Sequence, residues 1–385
     1  MAWGKKGGLL YYQTVPTDLS VSPKYRQIHD ALKAAIASGE YQKGQRLPSE
    51  SEMVKTFGAS RLTVNRALRE LQFSGVISRR AGSGSYVSGV AAPEYTFGLL
   101  IPELGQTEIF EPICRGMAEL ELDAPHVLLW GKSPSNAADL ERQAEESCSQ
   151  WIAKNVSGVF FAPLEYMGRK DEANARIAER FEQAGIPLVL IDRDIVSYPD
   201  RSRHDVVGID NRRAAYTLTR HMLSVGCRRL LFLGREEPAP SCVARSAGFR
   251  DALQDAGLDY SPSLVRHVDP GVASQIHQAI KDVGPDGIVC SNDYTAAHVM
   301  RVLEHLSLSV PGDVRVAGFD DVKYANLLPV PLTTVRQPCA ELGATAVRVM
   351  AERLKNPLMP ARDVLLNFSL IVRESTSGVR TPAQA

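Results

Sequence analysis

From Tyr95 onward the chain alternates short apolar runs with longer amphipathic stretches, and few architectures accommodate that alternation. The runs are FGLLI, HVLLW, VSGVFFA, PLVLI, VVGI, RLLFLG, DGIVC and VRVAGF. Each is predominantly apolar, as expected of strands buried on both faces. Between them lie stretches with helical spacing, among them 137–154, 173–183, 212–224, 244–256 and 294–306. Strands alternating with helices imply parallel sheets covered by helices on both sides. Residues 95–376 hold too many such units for one small sheet. The expectation is an α/β region of two lobes, each a parallel sheet with flanking helices.

Ligands of such folds bind outside the C-terminal ends of the strands, so the residues just after each run matter. The first run leads to Phe110, the fourth to Asp192 and Arg193, and the sixth to Ser241 and Arg245. CSND supplies Asn292 and Asp293, and GFDD supplies Asp320 and Asp321. Carboxylate, amide and guanidinium groups meeting in one cleft suit a ligand rich in hydroxyls, and an aromatic ring adds an apolar face. Paired carboxylates could also serve as acid and base on a sugar. Against an enzyme stands the lack of G-x-S-x-G, H-E-x-x-H, G-x-x-x-x-G-K-[ST] and a clean G-x-G-x-x-G. His221 and His298 read as ordinary helix residues. No catalytic residue, metal site or cofactor is expected.

The net charge of zero conceals a division. Residues 1–88 hold 13 basic side chains against six acidic ones, an excess of seven positive charges that the remainder must balance. Such asymmetry points to a nucleic-acid-binding module. Cys114, Cys148, Cys227, Cys242, Cys290 and Cys339 form no C-x-x-C pair, which suits a reducing cytoplasm. Residues 1–22 read as a loose arm, with Lys5 and Lys6 able to meet phosphates. Their apolar patch at 9–12 is too short for a signal peptide.

Residues 23–88 read as three helices and a hairpin. Tyr25, Ile28, Leu32 and Ile36 make an amphipathic helix that Gly39 ends. Ser49 and Glu52 form a capping-box pattern before Met53 and Phe57, and Gly58 breaks the chain. Ser60 caps a third helix whose buried stripe is Val64, Ala67, Leu68 and Leu71, leaving Arg61, Asn65, Arg66 and Arg69 on other faces. A helix, a tight turn and a helix with basic and polar early residues is the helix-turn-helix arrangement, whose second helix enters the major groove. Arginine pairs with guanine there and asparagine with adenine. VISRRAGSGSYV then reads as a wing, with Gly82 and Gly84 at its turn and Arg79 and Arg80 facing phosphates. Residues 89–94 read as a short linker.

The LPSE run, the SRLTVNRAL run and the glycine-bearing wing resemble the winged helix-turn-helix of the GntR family. The resemblance implies DNA contacts from Arg61, from the position of Asn65 and from the wing around Gly82. Asn65 and Ser51 stand where members of that family carry arginine. The candidate DNA contacts are Arg61, Thr63, Asn65, Arg66, Arg79, Arg80 and Gly82. Residues 95–376 resemble the effector domain of the LacI/GalR family, itself similar to periplasmic sugar-binding proteins. The stretch VPGDVRVAGFDDVKYANLLPVPLTTVRQPCAELGATAVRVMAERL carries that likeness, with VVGIDNRRAAYTLTRHMLSVGCRRLLFLG, ARSAGFRDAL and CSNDYTAAHVM. It implies that Arg245, Asn292 and Asp320 lie against a ligand, that Phe110 and Arg193 line the site, and that Gln337 marks a lobe crossover. Ser241 completes the candidate effector set. The first lobe is expected over about 95–191 and 337–361, the second over about 193–336 and 362–376.

The small helix-turn-helix and hinge helix usual in LacI/GalR members are missing, so the whole is similar to the mixed, arabinose-repressor-like subgroup. The implied protein is a cytoplasmic, ligand-responsive regulator, a repressor more than an activator, without enzymatic activity. Its partners would be double-stranded operator DNA, a carbohydrate effector and a second copy of itself. A phosphorylated sugar or a nucleobase is the alternative effector. A solute-binding transport component is a further alternative, which the basic module argues against.

Overall fold

The computed structural model describes residues 24–37, 39–73, 76–80, 83–88, 95–101, 109–122, 125–131 and 139–377. The arm at 1–22, Gly82 and the linker at 89–94 lie outside the described residues, as does the side chain of Arg80. The chain divides into two compact units, Met1–Pro93 and Glu94–Ala385.

In the first unit, α1 (Lys24–Ala37), α2 (Glu50–Phe57) and α3 (Arg61–Phe73) are followed by a hairpin of β1 (Ile77–Arg80) and β2 (Gly84–Val87). The capping box before α2 is present. Ser49 Oγ accepts from the Glu52 backbone N–H at 3.3 Å, and the Ser49 N–H donates to Glu52 Oε2 at 2.7 Å. These bonds hold the Glu52 carboxyl below its usual pKa. Gly58 ends α2 with φ 55°, a left-handed conformation that costs glycine little. Ile28, Leu32, Met53, Val64, Ala67, Leu68, Leu71, Ile77 and Val87 close one core. Residues 44–47 lie along β2, with Val87 N–H donating to the Gln45 carbonyl at 2.9 Å and Leu47 N–H to the Ser85 carbonyl at 2.9 Å.

The second unit contains two six-stranded sheets. Its first half runs β3 (Tyr95–Leu100), α4 (Phe110–Glu119), β4 (His126–Trp130), α5 (Leu140–Ala153), β5 (Gly158–Phe161), α6 (Lys170–Gln183), β6 (Leu188–Ile191) and β7 (Asp205–Ile209). The chain continues with α7 (Asn211–Ser224), β8 (Leu230–Gly234), α8 (Pro240–Asp255), β9 (Val265–His267), α9 (Ala273–Val283), β10 (Gly287–Cys290) and α10 (Asp293–His305). It closes with β11 (Arg315–Asp320), β12 (Thr333–Arg336), α11 (Cys339–Lys355), β13 (Asp363–Leu366) and β14 (Ser369–Ile371). The first sheet is ordered β4-β3-β5-β6-β7-β13 and is wholly parallel. The second is β9-β8-β10-β11-β12-β14, parallel except for β14. Each sheet has an apolar cluster on both faces, as the continuous runs require.

The expected lobe boundaries need correction. β7 pairs with β6, and β13 pairs with β7, so residues 205–209 and 363–366 belong to the first sheet, not the second. The chain therefore changes lobe after Ile209, near Gln337, and between Leu366 and Ser369. The apolar run in β7 would be buried equally well in either sheet. The register is secured by a buried carboxylate instead. Asp205, at the start of β7, accepts from Arg353 Nε at 3.0 Å and Nη2 at 2.9 Å, and from the Arg362 backbone N–H at 2.8 Å. That ties β7 to α11 and to the segment entering β13.

Glycines set how closely the helices pack. A Cβ on Gly343 of α11 would lie 1.9 Å from the Ile113 carbonyl oxygen, and one on Gly116 of α4 would lie 2.0 Å from that of Ala340. Both obstacles are helix backbone, which yields little. Gly343→Ala is therefore expected to destabilise the second unit by about 1–3 kcal/mol, read as a lower urea midpoint with an unchanged slope.

Candidate functional site

Two polar surfaces gather the candidate residues, one in each unit. In the first unit, α3 presents Arg61, Leu62, Arg66 and Arg69 to solvent. Its first turn is fixed by Ser60, whose hydroxyl accepts from the Thr63 backbone N–H at 3.2 Å and lies 2.8 Å from the Thr63 hydroxyl. Arg61 Nη2 reaches Ser51 Oγ at 3.4 Å. Asn65 joins Arg79 of the wing and Glu50 of α2 in one network. Asn65 Nδ2 donates to Glu50 Oε1 at 3.4 Å, Arg79 Nη1 donates to Asn65 Oδ1 at 3.5 Å, and Arg79 is ion-paired with Glu50. Arg66 sits over the Tyr25 ring at 3.9 Å and faces Glu70 at 3.5 Å. Two members of this face escaped sequence reasoning. Leu62 is 84% exposed beside Arg61. Arg46 lies against the wing, since a Cβ on Gly84 would meet its Nε at 2.9 Å. Helical phase could have shown Leu62; nothing local marks Arg46.

In the second unit the candidates lie near the C-terminal ends of strands in both sheets, around two buried arginines. Arg193, following β6, donates from Nε and Nη2 to the Pro163 carbonyl at 3.0 and 2.7 Å. Its Nη1 meets Asp192 Oδ2 at 3.0 Å, and Nη2 lies 3.3 Å from Glu165 Oε1. Burial opposes the Arg193 cation, but the two carboxylates more than offset this and hold its pKa above the usual. Phe110, the first residue of α4, has its ring centroid 5.9 Å from this guanidinium and is itself enclosed in the first-lobe core.

Arg245, on α8, donates from Nε to Asn211 Oδ1 at 2.8 Å and from Nη1 to the Ser291 carbonyl at 2.6 Å. Its Nη2 is 3.6 Å from Asp320 Oδ1, and its guanidinium lies 4.5 Å from the Phe319 ring centroid. Gln337 Nε2 donates to Asp320 Oδ1 at 2.8 Å. Burial pushes the Asp320 carboxyl up in pKa, against the pull of Arg245 and Gln337, and the charges of Asp192 and Arg193 also act on it. The two clusters therefore share one electrostatic environment. Asp192 (φ 72°) and Asp320 (φ 107°) both adopt left-handed backbone, which is costly outside glycine and concentrates at functional sites. Ser241 is buried in the first turn of α8, and Asn292 caps α10 by accepting from the Thr295 N–H at 2.9 Å.

Asp293 and Asp321 serve the scaffold. Asp293 is buried, accepts from Thr334 Oγ1 at 2.7 Å and from the Val322 N–H at 3.1 Å, and is raised well above the usual carboxyl pKa chiefly by burial. Asp321 accepts from Arg373 at 2.6 Å. Sequence reasoning missed Glu165 and Asn211. Both come just after apolar runs, so the rule that found Asp192 and Asp320 would have found them had it been applied to VSGVFFA and VVGI. Among the described residues no group of three or more His, Cys, Asp or Glu could hold a metal.

The unpaired polar atoms are informative. Asp192 Oδ1 and Gln337 Oε1 are buried acceptors without a hydrogen-bond partner, and the Ser291 hydroxyl is likewise unpaired. The arginine N–H groups, by contrast, are largely committed to protein oxygens. The site can thus take donors from a ligand more readily than acceptors. Because Arg245 is the cation beside Asp320, Arg245→Met is expected to destabilise the second unit by leaving a buried carboxylate with the Gln337 hydrogen bond but no neutralising charge. Chemical denaturation should show partial recovery in the Arg245→Met, Asp320→Asn double variant.

Comparison with known proteins places both units. Residues 24–87 match bacterial regulatory proteins of the gntR family, and residues 219–376 match a periplasmic binding protein-like domain. The chain is 27% identical over 372 residues to the arabinose metabolism transcriptional repressor of Geobacillus stearothermophilus, covering 93% of this chain and 98% of the relative. The protein of that name from Halalkalibacterium halodurans is 25% identical over 379 residues, with 93% and 98% covered. Among solved structures, a transcriptional regulator CelR-cellobiose complex superposes with TM-score 0.61 at 22% identity, covering 82% of this chain and 91% of that one, a likeness of fold.

Proposed function

We propose that this chain, which joins a gntR-family helix-turn-helix to a periplasmic-binding-protein-like domain, is a transcriptional repressor governed by an uncharged sugar bound between its two lobes. The observation that carries the reading is the acceptor surplus of the cleft. Arg193 and Arg245 are committed to protein oxygens, while buried acceptors on Asp192 and Gln337 have no hydrogen-bond partner. Sugar hydroxyls supply such donors. A phosphorylated sugar would bring negative charge to a site already rich in carboxylates. A nucleobase would want an open aromatic face, and Phe110 is only 1% exposed. Relatives aligned over nearly the full chain carry repressor names, which favours repression over activation.

In this reading Arg193, Ser241, Arg245, Asn292, Asp320 and Gln337 form the effector site, with Asp192 added, and Phe110 backs it from the first-lobe core beside Arg193. Arg61, Thr63, Asn65, Arg66 and Arg79, with Arg80 and Gly82, meet the operator. The effector draws the lobes together, and its differential affinity for the closed state supplies coupling of about 1–3 kcal/mol. Two copies would pair to meet a two-fold operator. A surface groove of about 560 Å³, where Met300, Leu308, Val310, Leu328 and Pro329 meet the polar side chains of His298, Arg301 and Glu304, is the face proposed for the second copy, next to Leu327, which is 79% exposed. A regulator of transcription works beside the DNA, hence in the cytoplasm. No helix among the described residues is long and apolar enough to cross a membrane.

Gel-shift titration of the chain's own promoter region tests the reading: at least one free pentose or hexose should weaken the complex, and indifference to all of them refutes sugar control. Arg61→Ala should weaken DNA binding by about 1–3 kcal/mol and leave sugar binding intact. Asp320→Ala should keep DNA binding and lose the sugar response. Leu327→Asp should shift the sedimentation of the protein toward monomer.

A further inference from the structure

The two lobes also touch through side chains outside the proposed effector set. Tyr166 follows β5 in the first lobe, and Arg235 follows β8 in the second. The Arg235 guanidinium lies 3.7 Å from the Tyr166 ring centroid. Close by, Lys170 at the start of α6 is 3.3 Å from Glu237. A further lobe-bridging pair joins Lys323 to Glu111 at 3.7 Å, but both side chains are more than three-quarters exposed, at 78% and 76%. Such a pair is screened by salt and contributes little.

Tyr166 is held firmly from behind. Residues 163, 164 and 165, just before it, are each anchored. The Pro163 carbonyl accepts two bonds from Arg193. The Leu164 N–H and carbonyl are both bonded to the side-chain amide of Asn174, at 2.7 and 3.0 Å. Glu165 pairs with Arg193. Tyr166 itself has φ 56°, and Glu237 across the gap has φ 49°. Left-handed backbone at residues with side chains persists only where surroundings enforce it. The anchored segment thus connects the proposed effector arginine to a ring presented to the opposite lobe.

We propose that the Tyr166–Arg235 stack is the closing contact of the cleft, a positioning pair that sets how long the lobes stay together and how slowly a bound effector leaves. A cation over a partly enclosed ring is worth more than an exposed ion pair, so the stack outweighs Lys323–Glu111. Its effect on effector release rests on the function proposed above; its effect on lobe opening does not.

Hydrogen–deuterium exchange on the ligand-free full chain tests the pair directly. Tyr166→Leu and Arg235→Gln should each speed exchange in residues 163–170 and 235–245 by about two- to thirtyfold, the range one cation–π contact covers. Tyr166→Phe keeps the ring and should match the parent. The Tyr166→Leu, Arg235→Gln double variant should exchange no faster than either single one. Unchanged exchange in both single variants, a Phe variant as fast as the Leu variant, or single effects that multiply in the double variant would each overturn the proposal. Should Tyr166→Leu fold poorly, Arg235→Gln and Tyr166→Phe still decide it. For any sugar that binds the parent chain, Arg235→Gln should raise the dissociation rate by the same factor; an unaltered rate overturns the release claim. If no free sugar binds the parent, the effector reading fails while the exchange result stands.

Discussion

Two guanidinium groups buried at the strand ends organise the second unit. Removing an arginine from water is expensive unless nearly every N–H finds an oxygen. Each lobe meets that demand by itself. Arg193 is enclosed by the Pro163 carbonyl, Asp192 and Glu165 of the first lobe, and Arg245 by Asn211, the Ser291 carbonyl and Asp320 of the second. Each half of the site is therefore preorganised within its own sheet. In the proposed function a ligand need only bring two finished halves together, and Gln337, where the chain crosses between lobes, already holds Asp320.

The same arrangement underlies the preference proposed for the cleft. The arginines look like anion receptors in the sequence, where their partners are invisible. In the fold they are spent on internal acceptors, and the polar atoms left over are oxygens. A similar tempering occurs in the first unit, where Glu50 binds Arg79 and Asn65 and so subtracts charge from the basic face. Counting residues gave the right sign for each unit, while the chemistry of each surface depends on which charges are already paired.

The alternation of apolar runs was enough to reveal two parallel sheets, because strands buried on both faces have no polar side to confuse the pattern. The position of Asp192, Arg193, Arg245, Asn292 and Asp320 near strand ends was legible because the strand-end rule is topological. The lobe boundary was not, since β7 fits either sheet by hydropathy and its place is decided by Asp205 gripping Arg353 and Arg362, more than a hundred residues away. The scaffold roles of Asp293 and Asp321 were hidden for the same reason: their partners Thr334 and Arg373 arrive from distant strands and loops. Glu165 and Asn211 obey the same rule, each lying just after an apolar run.

A cleft whose free groups are acceptors should select an uncharged, hydroxyl-rich ligand. Calorimetric titration of the full chain with a free sugar and with its phosphorylated counterpart puts that selection to the test. Heat and a saturable isotherm are expected for the free sugar, with binding of the phosphate weaker by at least tenfold, about 1.4 kcal/mol. Equal or tighter binding of the phosphorylated sugar would refute the selection.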